Sequence, residues 1–194
     1  MAFGFKPVRY RDGTSYTGAA QRCFYKTAAN LFVGDPVTIS AAPDGANGVL
    51  EVELATAGAI FYGVVVGIEV TPTSGALNLA HNYLASGNEG YVMVATDTNV
   101  VYQCTEDGVV DALELVDIGK NVDGIAGAGG STAFGTSSWM IDSSSHGTGT
   151  LGFTLLGVAA IEGNIDKVDG ANATDVVWEV VINESVAAPN TAGI

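Results

Sequence analysis

Histidine and cysteine are scarce in this chain: two of each among 194 residues. Two cysteines far apart in sequence and two unrelated histidines do not give the ligand spacing of a zinc site. Cations are nearly as scarce, with seven Lys and Arg against 21 Asp and Glu and a net charge of −14. A body this acidic repels phosphate, which argues against sequence-independent nucleic-acid binding. The longest apolar stretch, residues 59–68, is about half a bilayer span. Residues 1–10 lack the apolar core of a signal peptide. The expectation is therefore a chain made and assembled inside a cell, without a membrane partner. Charged residues make up 14% and apolar residues 47%. That balance excludes a disordered chain and leaves ample material for a core.

Glycine is what the chain has in excess: 26 residues, roughly double average usage. No Gly-x-y period accompanies it, so collagen is excluded. Glycines between short Val, Ile and Tyr runs read as turns between strands. Runs at residues 22–26, 36–40, 49–54, 60–70, 91–95, 100–105, 113–118, 150–160 and 176–183 carry period-2 or wholly apolar patterns. Residues 96–99 read as a hairpin loop joining two of them. Only residues 77–84 and 161–168 suggest a turn of helix. The fold expected is all-β, an antiparallel sandwich or barrel. Its core is expected to hold Val64, Val66, Ile68, Leu155 and Trp178. Residues 124–149 read as a long Gly/Ser-rich loop with one short strand inside it. Cys23 and Cys104 sit in aromatic strand-like runs and read as buried reduced thiols, with a disulfide as the alternative.

Charge is unevenly placed. Residues 1–26 hold Lys6, Arg9, Arg11, Arg22 and Lys26 and one acid, Asp12, for +4; the remainder carries −18. Residues 1–21 have no helical period and read as an extended basic arm on a single β-rich domain of residues 22–194. The arm mixes cations with aromatics, the residue types that dominate interface energies. Its candidate partner-binding residues are Phe3, Phe5, Lys6, Arg9, Arg11 and Tyr16. The competing view is that the arm packs on its own acidic body and completes the fold. An extended arm and a long loop are poorly anchored in an isolated chain, which points to a homo-oligomer, a trimer.

Chemical motifs are thin. A Ser/His/Asp set can be drawn on paper from the serines near His146 and from Asp142, but no nucleophile elbow frames it. His81 lies in a short apolar run. The acids at 106–111 and 166–169 do not follow calcium-loop spacing. Gly127-Ala128-Gly129-Gly130-Ser131 is Gly-rich, yet no lysine follows as a phosphate loop requires. Asn172 and Asn183 open glycosylation tripeptides, to which no role is assigned without a secretion signal. The expectation is a non-enzyme without cofactor or metal.

The order of short motifs along the chain is more informative. It opens with Phe3-Gly4-Phe5-Lys6-Pro7-Val8-Arg9 and Asp12-Gly13-Thr14-Ser15-Tyr16-Thr17-Gly18. Phe32-Val33-Gly34-Asp35-Pro36-Val37, Gly63-Val64-Val65-Val66-Gly67 and Gly90-Tyr91-Val92-Met93-Val94-Ala95 come next. Then come Tyr102-Gln103-Cys104-Thr105-Glu106-Asp107-Gly108, Asp117-Ile118-Gly119-Lys120-Asn121, Leu156-Gly157-Val158-Ala159 and Val181-Ile182-Asn183-Glu184. It closes with Thr191-Ala192-Gly193-Ile194. This succession resembles short structural proteins of tailed-phage head-gene clusters. The resemblance implies a β-structured cement or decoration subunit on the outer surface of the phage head. Its partners would be the major capsid protein and further copies of itself around a local symmetry axis. The alternative is a virion glycan- or receptor-binding module, using Phe134 and Trp139 as exposed stacking platforms. A small hydrolase is the third reading.

Overall fold

The computed structural model describes residues 2–26, 29–41, 48–69, 72–73, 76–77, 83–108, 112–168 and 176–186. The chain is all-β. In order the strands are β1 (Lys6–Tyr10), β2 (Gln21–Lys26), β3 (Leu31–Phe32), β4 (Pro36–Ile39), β5 (Glu51–Leu54), β6 (Gly63–Ile68), β7 (Pro72–Thr73) and β8 (Ala76–Leu77). They continue with β9 (Tyr83–Leu84), β10 (Glu89–Ala95), β11 (Val100–Thr105), β12 (Asn121–Ala126), β13 (Trp139–Gly147), β14 (Phe153–Val158) and β15 (Val177–Ile182). Helix is limited to the 3-10 turns Leu115–Asp117 and Ile165–Lys167 among the described residues.

Five strands close into a barrel in the order β10-β2-β5-β4-β6. Only the β2–β5 pair in it is parallel. Alternation sets its interior: Cys23 and Tyr25 on β2, and Val92 and Val94 on β10, point inward with Val37, Val52 and Val65. Gly63 lies against β10, where a Cβ would fall 2.3 Å from the Ala95 carbonyl oxygen.

The second body is a six-stranded sheet in the order β1-β11-β15-β14-β12-β13. Its far strand curls back toward β11. Glu106, directly after β11, bridges Ile141 of β13, and the Asp107 amide donates to the Ile141 carbonyl at 3.0 Å. The enclosed core holds Tyr102, Cys104, Leu155, Trp139 and Trp178. Phe153 joins the two bodies. Its ring stacks on Phe5 at 4.3 Å and meets Phe61 at 4.8 Å. Cys23 and Cys104 lie in the separate cores, both buried as free thiols. Burial pushes the Cys23 thiol up to about 11 and Cys104 higher still.

Several expectations need correction. The segment before residue 22 is no free arm, because β1 pairs with β11 in antiparallel register. The boundary drawn at residue 21 therefore does not divide the structure. Residues 96–99 do not close a hairpin: β10 and β11 belong to different sheets, and the turn at Asp97 carries the chain between them. The loop expected over 124–149 is shorter: residues 124–126 end β12, Trp139–Gly147 is β13, and the loop spans 127–138. The serines of β13 sit in a sheet because their polar groups are satisfied locally: Ser143 donates to Asp107 and Ser144 to Asp142. Trp139 is 2% exposed and is no surface platform. In place of the strand expected over 113–118 the chain makes a 3-10 turn at Leu115–Asp117, and Val66 and Ile68 are only half-buried. Of the expected turn at 77–84, the ends are β-strand and the middle, with His81, lies outside the described residues.

Trp178 is fully buried, so Trp178→Ala should cost roughly 3–5 kcal/mol in urea unfolding. Glu106 is fully buried as well, and its Oε1 has no hydrogen-bond partner. Burial pushes its carboxyl up to about 7, against the pull of the Leu113 amide and the nearby Trp178 indole. The folded state thus holds this proton more tightly than the unfolded chain. That stability is full below pH 4.5 and is lost as pH rises through about 7. The unfolding free energy of the wild type minus that of Glu106→Gln should fall by about 3 kcal/mol between pH 4.5 and 7.5. A difference that stays flat across this range contradicts the assignment.

Candidate functional site

The N-terminal strand is built for a sheet edge. Pro7 has no amide to donate, which suits an edge strand. The register with β11 shifts between Pro7 and Arg9. Arg9 reaches across to Glu179 of β15 at 2.6 Å. The chain then reverses at Asp12, whose carboxylate accepts the Thr14 amide at 2.9 Å and the Thr14 hydroxyl at 2.7 Å. These bonds hold the Asp12 carboxyl below its usual pKa. Tyr16 returns beside Val8, its amide donating to the Val8 carbonyl at 3.2 Å. Its hydroxyl donates to the Ala19 carbonyl, and its ring lies 5.9 Å from that of Tyr10.

The structure therefore separates the six residues singled out from the sequence. Phe5 is 1% exposed and belongs to the core, so it is unavailable to a partner. Its burial follows from the Phe153 stack, which the sequence does not reveal. Phe3 and Lys6 line a surface cleft at the start of the strand. Arg9 is tied to Glu179. Arg11 and Tyr16 lie at the other end, around the reversal.

The cleft has a volume of about 600 Å³ and is walled by Phe3, Lys6, Pro7, Val33, Phe134 and Ile161. Three backbone segments meet beneath it. The Phe5 amide donates to the Gly34 carbonyl at 2.9 Å, and Val33 bridges Thr136. Gly4 has φ +74°, and a Cβ there would lie 2.5 Å from that of Ser137. Only glycine fits this approach. Asp35 anchors the floor: it is buried and accepts the Phe32 amide at 2.8 Å and the Ser137 hydroxyl. Burial pushes its carboxyl up to about 6. The turn at 131–136 closes through Ser131 and Thr136 and projects Phe134, which is 72% exposed. A second cleft of about 310 Å³ lies beside Phe134, lined by Ala2, Ser138 and the Gly127–Gly129 backbone.

Electrostatics single out the same edge. Arg22 pairs with Glu69 and lies over the Tyr91 ring at 3.4 Å. Lys26 pairs with Glu89 and Lys120 with Asp117. Lys6 and Arg11 are exposed, and among the described residues neither has an acidic partner. His146 contacts the Ser143 carbonyl at 2.7 Å and lies 3.7 Å from Asp117. Asp142 bonds Ser144 instead, so the paper triad does not assemble. Val33 and Ile161 were missed from the sequence: each ends an apolar run, Leu31-Phe32-Val33 and Val158-Ala159-Ala160-Ile161, and such a run does not mark which member stays at the surface.

If the Gly4 approach sets the cleft floor, Gly4→Ala should loosen it. Amide exchange at Phe5 and Gly34 should quicken at least tenfold, with global stability lowered by about 1–3 kcal/mol. Unchanged exchange at both would show that the floor does not depend on Gly4. No protein-family model, no curated protein and no solved structure matches this chain.

Proposed function

We propose that this chain is a structural virion protein: a cement or decoration subunit that binds the outer surface of a tailed-phage head and stabilises it. The chain-long resemblance supports the class. One observation carries the binding face: Lys6 and Arg11, at the two ends of one edge strand, stand without acidic partners among the described residues, on a chain of net −14. Such cations steer an acidic surface toward that edge and orient it, while the exposed apolar groups beside them supply contact. The major capsid protein is the partner, and the all-β frame holds the contact residues in fixed geometry.

Arg11→Glu tests this reading, because the side chain is exposed and its replacement leaves the core intact. Binding to stripped heads should weaken roughly tenfold, and its dependence on salt should flatten. Binding as tight and as salt-sensitive as that of the wild type would overturn the assignment of this edge.

A further inference from the structure

The turn at Leu115–Asp117 is an unusual place to leave apolar side chains. Leu115, Val116 and Ile118 are 45%, 74% and 40% exposed, and Glu114 beside them is exposed too. The turn is nevertheless fixed. Asp117 points inward, accepting the Glu114 amide at 2.8 Å and the Lys120 ammonium at 2.7 Å. The Gly119 amide donates to the Leu155 carbonyl at 3.0 Å. The result is a rigid apolar knob with a carboxylate at its base. A knob whose shape is already set loses little conformational entropy when it docks. Clustered exposed apolar groups on a monomer mark interaction sites.

The cleft walled by Phe3, Val33, Phe134 and Ile161 offers apolar surface and a cation where the knob offers apolar surface and a carboxylate. It is concave and apolar, and Lys6, its one lining cation, has no acidic partner among the described residues. None of residues 114–118 lines it, so a chain's own knob does not fill its own cleft. The geometry points to a second copy of this chain as the occupant. The Leu115–Val116–Ile118 knob of one copy enters the Phe134 cleft of the next, with Glu114 facing Lys6. Two different patches of one chain meet, either exchanged reciprocally in an isologous dimer or passed head to tail around a heterologous ring of three or more subunits. This contact occupies Lys6 and the cleft and leaves Arg11, at the far end of the strand, to the capsid; because it is read without heads, its failure is distinguishable from failure of the cement reading.

The test uses the full chain and two substitutions at exposed positions, Val116→Asp and Phe134→Asp. Sedimentation velocity at tens of micromolar should find the wild type associated. Each variant alone should be monomeric, with near-ultraviolet circular dichroism and urea midpoint unchanged. Val116→Asp keeps a working cleft and Phe134→Asp a working knob. An equimolar mixture should therefore form heterodimers that neither variant forms alone. A monomeric wild type, variants that associate as the wild type does, or a mixture of folded variants that stays monomeric would each overturn the proposal.

Discussion

Phe153 between Phe5 and Phe61 is the contact on which the rest depends. Each ring comes from a different part of the chain: the N-terminal segment, the loop that leads into the closed barrel, and the second sheet. Fully burying one such side chain is worth about 1.5–3 kcal/mol, and each aromatic pair adds about 0.5–1.5 kcal/mol. Two glycines make room for the stack. A Cβ on Gly152 would fall 2.4 Å from the Phe61 ring, and one on Gly124 3.1 Å from Phe153. The stack also sets the path of the chain on either side of Phe5. With that ring inside, Gly4 must pass against Ser137 and the Phe5 amide must meet Gly34, which brings the three segments under the cleft together.

The N-terminal stretch is therefore held by burial more than by charge. Its ion pair to the second sheet, Arg9 with Glu179, is partly exposed, and surface pairs contribute little, about 0–1 kcal/mol. Opposite charge between a +4 segment and a −18 remainder draws the two together without fixing a geometry. Apolar packing fixes it. Once β1 is seated, its charges divide: Arg9 is spent on the body, and Lys6 and Arg11 remain outward. The two views of the arm are thus not exclusive. The segment completes the fold and still presents cations at the surface.

The fold class was legible because period-2 alternation and Gly-rich punctuation are local signals. β2, β4, β10, β11, β14 and β15 lie where the runs of Val, Ile and Tyr placed them. Pairing was not legible. The turn at Asp97 has the same chemistry whether it closes a hairpin or passes the chain between sheets, and only long-range packing decides. Only the start of β13, Trp139-Met140-Ile141, was legible as the short strand expected there; Asp142 and the serines beyond it read as loop until their partners are known. The candidate site was half legible. Lys6 and Arg11 stood out by charge, and Phe3 and Phe134 as isolated aromatics. Phe5 is identical in type to Phe3 and two residues away, so a regular strand would put both rings on one face. Gly4, at φ +74°, breaks that alternation, and Phe5 goes to the core while Phe3 stays at the cleft.

Departures from the ordinary rules of burial fall in two kinds of place. Inside, Glu106 Oε1, Thr105 Oγ1 and Trp178 Nε1 are buried without a well-formed hydrogen bond, where the second sheet curls back on itself through Glu106 and Ile141. Unsatisfied groups of this kind cost about 1–3 kcal/mol each, and they sit at the seam where strand pairing is least complete. Outside, Val116 and Phe134 expose apolar surface on turns held rigid by their neighbours. The inner departures have a topological cause, since a sheet that closes through one bridging residue cannot satisfy every group at the seam. The outer ones have no such cause. Both turns are pinned by hydrogen bonds that leave the apolar tips outward, although collapse onto the surface would have hidden them. On the contact inferred above, these are the two tips that meet across copies, and the frame beneath them is what holds their geometry.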